Sequence, residues 1–135
     1  MKSIIVPARN ENLNRIVAFV GRELENCSCP PVAQMQIELA IEEIFVNIAS
    51  YAYHPVEGEA EIHCEIEEDP LQVVIEFLDG GKPYDPLARE DADLSEEALI
   101  SRTGGLGIFL VKDTMDDVAY RYEGGKNIMT IRKRL

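Results

Sequence analysis

The sequence predicts a two-layer α/β (α+β) sandwich, in which a mixed, mostly antiparallel sheet carries helices on one face. Three observations predict it. The elements read in the order strand, helix, long helix, hairpin, excursion, helix, hairpin. Most strands come as consecutive pairs joined by turn residues, and the helices fall between those pairs, which segregates them to one side of the sheet. At 135 residues, 46% apolar and 28% charged, the chain is large enough to bury one core, so a single domain is expected over 1–135.

Ser3 to Val6 is a short β-type run ended by Pro7. Asn10 or Asn12 can cap a helix that runs on through Ile16, Val17, Phe19, Val20 and Leu24. Cys27-Ser28-Cys29-Pro30-Pro31 breaks it. From Val32, apolar residues at Met35, Ile37, Leu39, Ala40, Ile41, Ile44, Phe45, Ile48 and Ala49 recur at helical spacing to about Tyr53, which makes this the longest and best buried helix. His54-Pro55 ends it, and Glu57-Gly58-Glu59 turns the chain into a half-exposed strand over 60–66, where apolar and charged residues alternate. Asp69-Pro70 leads to a second strand over 71–78, forming a hairpin with the first. Residues 79–104 are rich in glycine, proline and charge, with a weak helical patch around 94–100. A long excursion of this kind inside a compact domain is usually functional, and a lid is expected over about 82–104. Gly104-Gly105-Leu106-Gly107 then opens a helix through Ile108, Leu110, Val111 and Met115. Strands over 118–122 and 128–131, separated by Glu123-Gly124-Gly125-Lys126-Asn127, form the final hairpin.

Composition narrows the function. A net charge of −12 repels the phosphate backbone, so nucleic acid is not an expected partner, and the one basic cluster, Arg132-Lys133-Arg134, reads as the solvated end of the last strand. No stretch approaches the roughly 20 apolar residues of a membrane span, and the N-terminus lacks the apolar segment of a signal peptide. A cytoplasmic protein is expected. Cys27, Cys29 and Cys64 are odd in number and lack metal or redox spacing, so they read as reduced thiols; with His54 and His63 they make no zinc pattern, and no structural metal is expected. The acidity also means that a triphosphate must be drawn in by local amides, Mg²⁺ or a few basic side chains.

Three motifs carry chemistry. Glu43 and Asn47 are four residues apart, on one face of the long helix. An asparagine oxygen suits Mg²⁺, and a nearby carboxylate can take a proton from an attacking hydroxyl; the same spacing alone more often marks a solvated polar stripe. Asp79-Gly80-Gly81 ends an apolar strand, where the aspartate can accept a hydrogen bond from the exocyclic amine of adenine and so select ATP over GTP. A plain Asp-Gly turn fits those three residues equally well. Gly104-Gly105-Leu106-Gly107 stands directly before a helix, where backbone amides and the helix dipole favour phosphate, and Arg102 and Thr103 can add a charge and a donor. Such helix entries are also common without an anion.

Taken in this order, Glu43 to Asn47, Asp79-Gly80-Gly81-Lys82-Pro83-Tyr84-Asp85-Pro86 and Gly104 to Lys112 resemble the N, G1 and G2 boxes of the GHKL (Bergerat-fold) ATPases. The Gly-Gly-Leu-Gly-Ile-Phe-Leu-Val segment followed by Met115-Asp116-Asp117-Val118 is similar to the anti-sigma factor serine/threonine-protein kinase branch in particular. The likeness covers nearly the whole chain. It implies a Bergerat-type ATP-binding fold with Glu43 as catalytic base, Asn47 as Mg²⁺ ligand, Asp79 as adenine contact and Gly81 in the adenine pocket. It also implies Gly105 and Gly107 at the phosphate-binding hinge of the lid. The implied activity is transfer of the γ-phosphoryl of Mg-ATP to a serine of a STAS-type anti-anti-sigma partner, with a sigma factor held inactive, usually by a homodimer. This sequence departs from the family pattern at Pro83, where the superfamily has a second glycine, at Tyr51, where the branch often has histidine, and at the bulky Ile44 and Phe45.

Two further readings differ in class. One is a non-catalytic, nucleotide-gated module that sequesters a regulator, which would have no need of a base such as Glu43. The other is the catalytic domain of a sensor histidine kinase, from which the expected stand-alone protein differs in lacking a helix pair with a phosphoacceptor histidine. Tyr51, Tyr53 and Phe45 read as core or pocket wall.

Overall fold

The computed structural model describes residues 1–53, 56–88 and 105–135. Five strands form one sheet in the order β1-β2-β3-β5-β4: β1 Lys2–Pro7, β2 Glu59–Glu67, β3 Gln72–Asp79, β4 Asp117–Glu123 and β5 Lys126–Arg134. All four pairings are antiparallel, so the expected antiparallel majority extends to every pair. Three helices complete the described residues: α1 Leu13–Asn26, α2 Pro31–Asn47 and α3 Gly105–Thr114.

Alternation along the strands decides which side the helices cover. Ala60, Ile62 and Cys64 of β2 stand opposite Asp79, Phe77 and Ile75 of β3, which in turn stand opposite Asn127, Met129 and Ile131 of β5. All nine are buried. The apolar members join Ile16, Val20 and Leu24 of α1, Ile37, Ile41 and Phe45 of α2, Val111 of α3 and Met115 just after it in one core. Buried residues at i, i+4 and i+8 give α1 a narrow stripe, whereas α2, packed between α1 and α3, buries a wider one. The opposite face of the sheet is mixed, with Val74 and Ile128 buried among polar side chains. There Glu76 receives Arg121 Nη1 at 3.5 Å, Thr130 Oγ1 at 3.3 Å and His63 Nδ1 at 3.6 Å, while His63 Nε2 meets Glu61. Central β3 is nearly continuously apolar because it is flanked by strands on both sides, whereas the edge strand β4 is charged and mostly exposed, which discourages pairing with another chain.

Several local expectations are corrected. Asn12 occupies the N-cap position of α1, but its Nδ2 donates to the Pro7 carbonyl at 2.8 Å, and no side-chain cap bond forms; a short 3₁₀ turn, Asn10–Asn12, enters the helix instead. The long helix ends its α-helical part at Asn47 and widens into a π-helical turn, Ile48–Ala52, before Tyr53 becomes extended. The last turn is two residues, Gly124 and Gly125, both at positive φ (60° and 78°), so Asn127 belongs to β5 and not to the loop. Arg132 pairs with Glu67 at 2.9 Å and Lys133 donates to the Thr114 carbonyl at the end of α3 at 2.8 Å, so these two basic residues brace neighbouring elements. Of the expected lid, residues 82–85 are irregular and 86–88 form a 3₁₀ turn; residues 89–104, including the helical patch expected at 94–100, lie outside the described residues, as does His54.

Candidate functional site

The end of α2, the end of β3 and the start of α3 meet around a cavity of about 700 Å³, within the range of small-molecule sites. Its walls are largely apolar, from Ile44, Ile48, Phe77, Ile108 and Met129. Asn47, Asp79, Lys82 and Asn127 add the polar groups, and Tyr51, Tyr84 and Tyr120 are also part of the lining. A planar, mostly apolar ring with a few polar edges fits such a lining.

Asp79 is 6% exposed and closes β3. Its Oδ1 accepts the Gly81 N–H at 2.9 Å and Asn127 Nδ2 at 2.9 Å. Oδ2 has no hydrogen-bond partner among the described residues, which leaves a carboxylate oxygen in the cavity wall as an acceptor. Gly81 does not line the cavity; it packs on the π-helical turn. A Cβ built on it would lie 2.7 Å from the Ala52 carbonyl carbon, and the Lys82 N–H reaches the Ala52 oxygen at 3.3 Å. The glycine is therefore needed for the close approach of two backbones.

Tyr53 supports the same loop from below. Its hydroxyl accepts the Gly80 N–H at 2.6 Å and donates to the Glu59 carbonyl at 2.7 Å, and Gly58 has no room for a side chain against its ring. Burial first, then the charges of Asp79 and Glu59, push the Tyr53 phenol up, which keeps the proton it donates. The widened turn 48–52 thus delivers one backbone acceptor and one phenol to the Asp79-Gly80-Gly81 loop. Such turns are found frequently at functional sites.

Asn47, the last α-helical residue of α2, lines the cavity, and its carboxamide makes no hydrogen bond among the described residues. Glu43, one helical turn earlier, does not line the cavity. It lies under the first turn of α3, where a Cβ built on Gly107 would stand 2.8 Å from Glu43 Cδ and still closer to Oε2. Gly105 and Leu106 belong to the same helical turn. Arg102, Thr103 and Gly104 lie outside the described residues. The structure therefore brings Asn47 and Asp79 to one cavity, puts Glu43 against Gly107 at its border, and sets Gly81 behind Asp79. Lys112 sits in the last turn of α3 and is exposed.

Phe45 is fully buried core, and Tyr51 lines the cavity while 70% exposed. The sequence reading missed Asn127, read as a turn residue, and the role of the Tyr53 hydroxyl. A signal for Asn127 was present: two residues after a Gly-Gly turn, it heads the every-second-residue series Asn127, Met129, Ile131. Its pairing with Asp79 depends on the β3–β5 register, which is not local.

Residues 6–133 match the family described as histidine kinase-like ATPase domain. The chain is similar to the serine-protein kinase RsbW of Listeria monocytogenes, at 33% identity over 98 residues that cover 69% of this chain and 61% of that protein. It is also similar to the serine/threonine-protein kinase BtrW of Bordetella bronchiseptica, at 27% identity over 95 residues, covering 70% and 66%. The match thus spans less than two thirds of the length of RsbW. The backbone resembles the histidine kinase domain of the blue-light activated histidine kinase EL346 of Erythrobacter litoralis, with a TM-score of 0.55 and 14% identity over 96% of this chain and 62% of that one. It likewise resembles a chain in the SiaB-SiaC complex of Pseudomonas aeruginosa, with a TM-score of 0.59 and 15% identity over 100% and 90%. At these identities the structural likeness concerns the fold.

Proposed function

The chain belongs to the histidine kinase-like ATPase domain family, and from that premise we propose that it is an ATP-dependent serine/threonine-protein kinase of the anti-sigma factor type. The single observation that carries the reading is the meeting of Asp79 and Asn47 in one apolar cavity whose border holds Glu43 beneath α3. The likeness to RsbW and BtrW, both named as protein kinases, supports the reaction class.

In this reading Asp79 accepts the exocyclic amine of adenine through the carboxylate oxygen that the protein's own donors leave available. Ile44, Phe77, Ile108 and Met129 hold the ring and exclude water from it. Asn47 contributes a neutral oxygen to Mg²⁺, an ion that keeps most of its waters and takes few protein ligands, so one carboxamide in the cavity wall fits it. When bound, Mg²⁺ neutralises charge on the phosphates. Glu43 accepts the proton of the attacking serine hydroxyl, and the amides opening α3, from Gly105 to Gly107, face the phosphates with Arg102, Thr103 and Gly104 just upstream. The serine belongs to a STAS-type anti-anti-sigma partner, and a sigma factor is held by the same protein, acting as a homodimer.

The test is calorimetric titration with ATP and with GTP, each with and without Mg²⁺. Selective, Mg²⁺-dependent ATP binding is the expected result. Binding of neither nucleotide would overturn the reading and leave a scaffold that works by protein contact.

A further inference from the structure

Asn127 is 7% exposed, yet its carboxamide is fully engaged, and every partner belongs to the site. Nδ2 donates to Asp79 Oδ1 at 2.9 Å and to the Lys82 carbonyl at 2.9 Å, with the Gly81 carbonyl at 3.5 Å as a weaker third contact. Oδ1 accepts the Tyr84 N–H at 3.0 Å and the Tyr120 hydroxyl. One amide therefore holds the carboxylate that ends β3 and the backbone of Lys82 and Tyr84.

These partners require a carboxamide, with donors at one end and an acceptor at the other. A carboxylate of the same shape has no hydrogen to give Asp79 or Lys82, and a leucine has neither donor nor acceptor. A buried amide with both ends satisfied is oriented by its network, and it orients its partners in return. With Nδ2 on Asp79 Oδ1, the aspartate cannot rotate without giving up a bond in a site where water does not easily replace it.

We propose that Asn127 is a positioning residue that determines nucleobase specificity. It holds Asp79 so that the remaining oxygen meets an amino group on the base, and it ties that recognition to the backbone of Lys82 and Tyr84. This rests on the reading of Asp79 as the adenine contact. Tyr120 acts one step further out, since its hydroxyl fixes which end of the Asn127 amide points at Asp79. Burial, with Asp85 and Asp79 adding, pushes the Tyr120 phenol up and keeps it a donor.

The experiment compares ATP with inosine triphosphate, which has an oxygen where adenine has its amino group. Both are titrated into the wild-type protein, Asn127→Ala, Tyr120→Phe and Asp79→Asn, and the melting temperature of each is recorded. In Asn127→Ala, ATP affinity should fall roughly tenfold while inosine triphosphate affinity changes less than about twofold, so the preference narrows. Tyr120→Phe should narrow it in the same direction by a smaller factor with little change in melting temperature. Equal losses for both nucleotides, or an unchanged preference in both variants while Asp79→Asn abolishes it, would overturn this proposal alone. A wild-type protein that binds no ATP, or an Asp79→Asn variant with unaltered preference, would overturn the adenine reading and this proposal together.

Discussion

Gly107 at the start of α3 lies directly on the carboxylate of Glu43, so close that a single added carbon would stand 2.8 Å from Glu43 Cδ. Two segments 64 positions apart in the chain thus share one point, and the side chain proposed as catalytic base is held in place by the absence of another side chain. The obstructed group is the far end of a flexible glutamate and not backbone, so Gly107→Ala can be accommodated by displacing the carboxylate. Stability should change by less than about 1 kcal/mol in urea titrations, while phosphoryl transfer should fall about 100-fold, the lower end of a general base's contribution. An active Gly107→Ala protein would detach Glu43 from the reaction.

Glu43 and Asp79 separate chemistry from binding. Glu43→Gln keeps the shape and loses the base, so transfer should drop by roughly 10²–10⁴-fold with ATP affinity unchanged. Asp79→Asn replaces an acceptor-only group with one that also donates, and ATP affinity itself should fall by about 10–100-fold, as expected for loss of a charged hydrogen bond. Calorimetry and a phosphotransfer assay on the two variants would read the two effects apart.

Tyr53→Phe keeps the ring that packs against Gly58 and removes only the hydroxyl between the Gly80 N–H and the Glu59 carbonyl. The loss should amount to about 1–3 kcal/mol in equilibrium unfolding, because two backbone groups lose a partner at once. ATP affinity should fall with it, since the Asp79-Gly80-Gly81 loop loses its support. An unchanged unfolding midpoint would show that water replaces the phenol at no cost.

Cys64 makes the fold sensitive to alkali. Burial pushes its thiol up from the ordinary 9.0 to about 12, with the charge of Glu23 adding. The unfolded chain ionises first, so the contribution of Cys64 is complete below about pH 9 and is lost as pH rises through about 12. Tyr53 and Tyr120, also raised, act in the same direction from their ordinary 10.0. Urea midpoints measured from pH 7 to 11 should therefore decline at the alkaline end. Cys64→Ala should start lower, by about 1 kcal/mol for the smaller side chain, and decline less steeply. Parallel curves for the two proteins would refute the assignment.

Much of this protein was legible in the sequence, because helices and strands here follow local rules. Apolar spacing marked α1 and α2, alternation marked β2, the apolar run marked β3, and Gly124-Gly125 marked the last turn, each through a pattern contained in about ten neighbouring residues. The four-residue step from Glu43 to Asn47 also set those two on one face of α2. What the sequence could not determine was which residues meet. The π-helical turn after Asn47, the Ala52 carbonyl against Gly81, the seating of Gly107 on Glu43, and the amide of Asn127 on Asp79 all arise from packing between segments distant in the chain. Register made the difference for Asn127: locally it is a polar residue after a glycine turn, and only the antiparallel pairing of β5 with β3 sets it opposite Asp79 on the covered face. Local periodicity decides which side of its own strand or helix a residue occupies, whereas its partner across the fold is decided by how all the elements pack together.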